Sequence, residues 1–242
     1  EVMLILSNPL SAFRYARYPV KGVGLTRLEF AINNDIGIHP LALVHFDELE
    51  DVDVKSEIER RTAPWGSKEQ FFVEKLSMAV ATIASAFYPR DVIVRLSDFK
   101  SNEYANLLGG GQFEPEEENP MLGFRGASRY YSDEYKEGFR LECLAMKRAI
   151  EEMGLDNIIL MVPFCRTPDE GRKVRDTMRD YGLGKPGDNE GAAPQVYVMA
   201  EIPSNVIGAG AFAEVFDGFS IGSNDLTQLT LGAAVGEAVL GH

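Results

Sequence analysis

Six short, nearly continuous apolar runs recur along the chain: VMLIL (2–6), GVGLTR (22–27), DVIVRL (91–96), NIILMVPF (157–164), QVYVMAEI (195–202) and GFSIG (218–222). Runs of this length without polar alternation suit strands buried on both faces. Helical periodicity fills the intervals. In SKEQFFVEKLSMAVATIASAFY the apolar positions Phe72, Leu76, Ala79, Ile83 and Phe87 fall on one helical face, with Ser67 as N-cap and Gln70 three residues on. TPDEGRKVRDTMRDYG predicts a helix capped by Thr167, with Pro168 at its first position, Glu170 completing a capping box and Gly182 as its stop. SDEYKEGFRLECLAMKRAIEEMG predicts another, ending at Gly154. Strands alternating with helices define an α/β protein whose parallel sheet is covered on both faces or closed into a barrel.

Periodicity fails over residues 100–131, KSNEYANLLGGGQFEPEEENPMLGFRGASRY, a connection too long to be a passive loop. Its interspersed Tyr, Leu, Phe, Met and Arg predict an ordered segment. Within it, Gly109–Gly111 lacks the Lys-Ser/Thr of a phosphate-binding P-loop and reads as a flexible turn, and EPEEENP (114–120) reads as a solvated acidic surface. GLGKPGDNEGAAPQ (182–195) reads as a surface loop.

Composition narrows the partners. The 242 residues suffice for one large barrel or two ordinary domains, and the 45% apolar content suits a packed core. Lys and Arg number 24 against 37 Asp and Glu, a net charge of −13 that disfavours nucleic acid and anionic membrane as partners. No apolar run is long enough to span a bilayer and the N-terminus has no export-signal pattern, so a cytoplasmic protein is expected. Cys143 and Cys165 lie far apart and His39, His45 and His242 form no cluster. Neither a disulfide framework nor a zinc site is expected, and both cysteines read as small buried groups.

Four charged residues stand at the predicted carboxyl ends of different strands: Arg27, Arg95, Glu201 and Asp225. That end of a parallel sheet is where ligands bind. Singly, each has a structural explanation: Arg27 and Arg95 could pair with Glu29 and Asp98, and Asp225 could cap a turn. Together they suit a hard divalent cation such as Mg²⁺ with an oxyanion substrate, because Mg²⁺ takes carboxylate oxygens and Arg grips carboxylate or phosphate bidentately. Arg125 and Arg129, in GFRGASRY, read equally as binding residues or as structural ion-pair partners.

The stretches VIVRLSDFKSNEYANLLGG, EPEEENPMLGFRGASRY and FDGFSIGSNDLTQLTLG closely resemble the carboxy-terminal PEP/pyruvate-binding domain of the phosphoenolpyruvate synthase (pyruvate, water dikinase) family. GVGLTRLEF, MVPFCRTPDEG and MAEIPSN fit the same pattern in the same order. The related domain of pyruvate, phosphate dikinase is similar, but SDFKSNEYANL favours the synthase. The resemblance implies one (β/α)8 TIM-type barrel domain over residues 1–242. By the same resemblance, Arg27 and Arg95 contact the phosphate or carboxylate of pyruvate or phosphoenolpyruvate as catalytic residues; Arg125, from its own sequence context, is an additional candidate. Glu201 and Asp225 hold Mg²⁺, and Gly222, Ser223 and Asn224 line the substrate site. The implied step moves a phosphoryl group from a phosphohistidine on another domain to the enolate oxygen of pyruvate. In the whole enzyme ATP, pyruvate and water then give AMP, phosphoenolpyruvate and phosphate. A homo-oligomer is expected.

The chain departs from the family pattern after LTLG, where AAVGEAVLGH stands in place of a segment that completes the barrel and carries a CGQ-type motif with a proton-transferring cysteine. Neither Cys143 nor Cys165 lies in such a motif, and the TCHAA-type phosphohistidine motif and ATP-binding domain are absent from these residues. The barrel is therefore expected to lack its last part, and the chain to act within a larger enzyme. Two other readings stay open: a Mg²⁺-dependent lyase or aldolase working through a pyruvate enolate, and a non-catalytic binding or oligomerisation module.

Overall fold

The computed structural model describes residues 1–184 and 194–233, so residues 185–193 of the expected surface loop and the part of AAVGEAVLGH beyond residue 233 lie outside the described residues. Each apolar run contains a strand: β1 (Leu4–Ile5), β2 (Val23–Arg27), β3 (Val92–Arg95), β4 (Ile158–Val162), β5 (Val196–Ala200) and β6 (Gly218–Ile221). All pairings are parallel and the strand order is sequential, β1 to β6. Sequential order means that no crossover reverses direction, so the sheet curls as a barrel wall instead of forming a doubly wound sheet. Among the described residues it holds six of the eight strands of a closed (β/α)8 barrel, with β1 and β6 as its edges. β1 is the shortest, and its register slips between Leu4 and Ile5.

Side chains alternate across the wall. Val23, Val92, Val94, Ile158, Leu160, Val162, Val196 and Val198 join the large core under the helices. Leu25, Ile93, Ile159, Met161 and Met199 form a smaller cluster on the inner face. The period of two places Arg27 and Arg95, two residues beyond Leu25 and Ile93, on that inner face. The two arginines are also register partners across β2 and β3.

The helix Lys68–Phe87 starts where Ser67 accepts the Gln70 N–H, and it buries Phe72, Leu76, Ala79, Ile83 and Phe87 as the spacing predicts. Thr167 caps Pro168–Asp180 by accepting the Glu170 N–H, but the expected capping box is only half formed. The Glu170 carboxylate turns instead to the Arg166 N–H and the Tyr131 hydroxyl. No helix among the described residues is long and apolar enough to cross a membrane. Cys143 and Cys165 are free and buried.

Residues 100–131 are ordered, with short helices at Ser101–Ala105 and Ala127–Tyr130. The expectation of a solvated acidic run fails at Glu114, whose side chain is 1% exposed and accepts two hydrogen bonds from Arg129, at 2.6 and 2.9 Å. Buried His39 shares that carboxylate at 2.8 Å. Burying a charged carboxylate is costly unless it is paired, and Arg129 supplies the cation 15 residues later in the same loop. Within the glycine triplet, Gly109 and Gly110 are packed against their surroundings, whereas Gly111 has nothing within 4 Å of a would-be Cβ. Gly109 has φ +79°, and a Cβ there would meet Ala42 Cβ at 2.6 Å.

Candidate metal and anion site

The carboxyl ends of the strands open on a cleft of about 580 Å³ whose walls include Arg27, Glu29, Arg95, Asp98, Arg125, Asn224 and Asp225. A second space of about 330 Å³ on the inner face shares Arg27, Arg95, Asn224 and Asp225 and adds Met199, Glu201, Gly222 and Ser223. Arg27, Arg95, Glu201, Gly222, Ser223, Asn224 and Asp225 are thus brought to one mouth by the ends of β2, β3, β5 and β6.

Each is placed by a local device. Glu201 directly follows β5 and is 1% exposed, and its Oε1 accepts the Phe164 N–H at 2.7 Å. Gly222 passes so close to it that a Cβ would meet Glu201 Cβ at 2.8 Å, so a larger residue would displace the carboxylate. Asp225 lies in the first turn of the helix Ser223–Leu231.

Two carboxylates expected as metal ligands are joined by a third. One carboxylate oxygen each from Asp98, Glu201 and Asp225 lie within 4.8 Å of one another. Burial and the neighbouring Asp98 push the Glu201 carboxyl up to about 8, with Asp225 adding to the effect and the Phe164 N–H and Arg95 opposing it. Crowded carboxylates that resist ionising together are matched by a hard cation with oxygen preference.

The arginines divide by role. Arg95 Nη2 donates to Glu29 Oε1 at 2.7 Å, and its Nη1 lies 3.6 Å from Asp98. Burial works against its charge, yet Glu29, Asp98 and Glu201 together hold its pKa above the ordinary value. Its Nε and the Glu29 Oε2 are buried without a hydrogen-bond partner, unspent polar capacity beside the cleft. Arg27 is exposed and makes no ion pair among the described residues; its N–H is held by Ser7 Oγ at 2.9 Å. The structural pairing weighed for Arg27 therefore does not occur, whereas that for Arg95 does, with both Glu29 and Asp98. Arg125 faces the cleft, bound to Asp98 and 3.5 Å from Asp225, while Arg129 is a buried partner of Glu114.

Asp98 was read from sequence only as an ion-pair partner, and its place in the carboxylate cluster was missed. The available signal was position: it follows a strand-end arginine by three residues, as Glu29 follows Arg27 by two.

A family model described as "PEP-utilising enzyme, PEP-binding domain" matches residues 1–240. The chain is 59% identical over its full length to a phosphoenolpyruvate synthase of Synechocystis, covering 29% of that protein. It is 48% identical, again over its full length, to a phosphoenolpyruvate synthase of Aquifex aeolicus, covering 33% of it. With the Escherichia coli phosphoenolpyruvate synthase the identity is 52% over 96% of the chain and 29% of that protein. The chain spans about a third or less of the length of these relatives.

Proposed function

Because the chain belongs to the PEP-binding domain family of the PEP-utilising enzymes, we propose that this mouth holds pyruvate or phosphoenolpyruvate with Mg²⁺. In this reading the chain is one domain of a larger phosphoenolpyruvate synthase, in which it receives a phosphoryl group from a phosphohistidine. The observation that carries the proposal is the facing of Arg27 and Arg95, adjacent in register, with the carboxylates of Glu201, Asp225 and Asp98 at one mouth.

Glu201 and Asp225, with Asp98 beside them, would hold the cation. When bound, Mg²⁺ supplies a compact divalent charge that favours the enolate form of pyruvate and offsets the phosphoryl oxygens. The protein's own groups do the rest. Arg27, which makes no ion pair among the described residues, takes the phosphate or carboxylate of the substrate. Arg95, held by its hydrogen bond to Glu29, presents fixed positive charge where negative charge develops, and so needs no reorganisation during the reaction. Gly222, Ser223 and Asn224 shape the substrate wall beside Glu201. Burial pushes the Cys143 and Cys165 thiols up, which suits neither to proton transfer. A cytoplasmic homo-oligomer is part of the same proposal, and sedimentation would report the assembly.

The test is calorimetry of the whole protein with oxalate, a stable mimic of the pyruvate enolate, in the presence of Mg²⁺. Binding that disappears in Arg95→Ala and in Glu201→Ala is expected. Unchanged oxalate binding in both variants would sink the proposal.

A further inference from the structure

Behind the mouth, the backbone that carries Arg95 and Asp98 is held by a second set of carboxylates. Ser97, between those residues, is 1% exposed. Its N–H donates to Glu142 Oε2 at 3.1 Å, its hydroxyl to Glu142 Oε1, and its carbonyl accepts the Tyr130 hydroxyl at 2.6 Å. The next amide, that of Asp98, donates to Glu29 Oε1 at 2.7 Å, the oxygen that also receives Arg95. Two consecutive loop amides are therefore each capped by a carboxylate from another segment. Glu142 comes from the helix Lys136–Lys147, is 0% exposed and forms no ion pair among the described residues. An unpaired buried carboxylate costs stability that an apolar residue would avoid, so its presence calls for a return elsewhere.

Resting on the functional reading above, we propose that Glu142 is a positioning residue of the site, fixing through Ser97 the backbone from which Asp98 and Arg95 reach the mouth. A relay of hydroxyls supports this role. Tyr135 lies 2.6 Å from Tyr104, and Tyr104 lies 2.8 Å from Ser97 Oγ. With Glu142 as final acceptor, each hydroxyl in that row donates to the next, and both carboxylate oxygens are engaged by Ser97. A glutamine at this position keeps one acceptor oxygen for the Ser97 N–H and turns an NH₂ donor toward the Ser97 hydroxyl, which must then accept and reverse the row, so the nearly isosteric change is not conservative here.

The test uses the whole protein as it occurs, with Mn²⁺ as the spectroscopic probe of the cation site. Glu142→Gln is compared with Cys143→Ala, a truncation at the buried neighbour on the same helix. Glu142→Gln should weaken Mn²⁺ binding about tenfold and speed amide exchange in the peptide spanning residues 96–99. Cys143→Ala should leave both unchanged, even if it lowers the melting temperature. A folded Glu142→Gln protein with unaltered Mn²⁺ affinity and unaltered exchange overturns the inference. If that variant does not fold, Ser97→Ala, which keeps the amide bond and loses the hydroxyl, must weaken Mn²⁺ binding; unaltered binding there overturns it equally. If the unmodified protein binds no Mn²⁺ at this mouth, the cation reading fails by itself, and the exchange rates of residues 96–99 alone decide the role of Glu142.

Discussion

Arg125 grips Asp98 through two hydrogen bonds, Nη2 to Oδ2 at 2.6 Å and Nε to Oδ1 at 3.1 Å, while its guanidinium lies 4.0 Å above the centre of the Phe164 ring. One cation from the long loop after β3 thereby fastens a carboxylate of the cluster and rests on the loop after β4. Asp98, Asp225 and Glu201 all favour the charged form of Arg125 against its burial.

Arg125→Ala leaves buried Asp98 with only the longer contact to Arg95, at 3.6 Å, and removes the stacking on Phe164. A loss of about 3 kcal/mol in chemical denaturation is expected, typical of a buried pair broken on one side. Arg125→Lys should recover less than half of it, because a point charge cannot make the two-pronged contact. Adding Asp98→Asn to Arg125→Ala should restore part of the stability by removing the stranded charge; if the double variant is as unstable as the sum of the two single ones, the pairing is not what holds this region.

Glu201→Gln should separate stability from binding. The amide oxygen can still accept the Phe164 N–H, but the crowded charge beside Asp98 and Asp225 is gone. In the absence of divalent cation a carboxyl raised from 4.5 to about 8 on folding loses stability as pH rises through that window, so relative to the variant the unmodified protein should lose on the order of 5 kcal/mol between about pH 4.5 and about pH 8.5. On the proposed reading Mg²⁺ should raise the melting temperature of the unmodified protein, and the variant should lose that rise. A variant that is still stabilised by Mg²⁺ would remove Glu201 from the ligand set.

The strands and the long helices were legible because burial imposes a period. VIVR has one face under helices and one on the inner wall, so nearly every position is apolar and the run stands out. The strand-end charges were legible for the complementary reason, since Arg95 and Glu201 break an apolar run where a core residue would otherwise continue. What escaped the sequence was pairing at a distance. Glu114 lies in an acidic run that looks solvated, and only the fold brings Arg129 and His39 onto it. Glu142 sits amid ordinary helical residues, and its partner Ser97 is 45 residues away. Asp98 resembled a local ion-pair partner because it follows Arg95 by three positions, and its neighbours Glu201 and Asp225 arrive from the chain after β5 and after β6.

Glu142 should leave a signature in the pH dependence of stability. Burial pushes its carboxyl up to about 7, with Glu29 adding to the rise and the Ser97 hydroxyl and amide opposing it; the hydroxyls of Tyr104 and Tyr135 continue the row behind Ser97. A carboxyl raised on folding holds its proton more tightly in the native state than in the unfolded one, so stability falls as pH rises between the two values. The favourable contribution is complete below about pH 4.5 and is lost by the time pH passes about 7. Relative to Glu142→Gln, the unmodified protein should lose on the order of 3 kcal/mol across that window. Parallel urea titrations of the two proteins at a series of pH values measure this difference, and a pH-independent gap would contradict it.

Gly126 is a position where the long loop packs closely against the loop after β4. Its φ of +57° belongs to the left-handed region, and a Cβ built there would stand 2.6 Å from the Pro163 carbonyl oxygen and 2.7 Å from Phe164 Cβ. The contacts in the way are backbone and a side-chain root, so no rotamer change relieves them. The Ala127 N–H donates to that same Pro163 oxygen at 3.1 Å. Phe164 itself has φ +47° and gives its N–H to Glu201, so a push against it reaches a carboxylate of the cluster directly. Gly126→Ala is therefore expected to destabilise the protein by about 2 kcal/mol, combining left-handed strain with displaced backbone, and to weaken oxalate binding more than Gly111→Ala does. Gly111 has nothing within 4 Å of its would-be Cβ and serves as the control. Equal behaviour of the two variants in denaturation and in oxalate calorimetry would show that the contact between these loops does not set the geometry of the mouth.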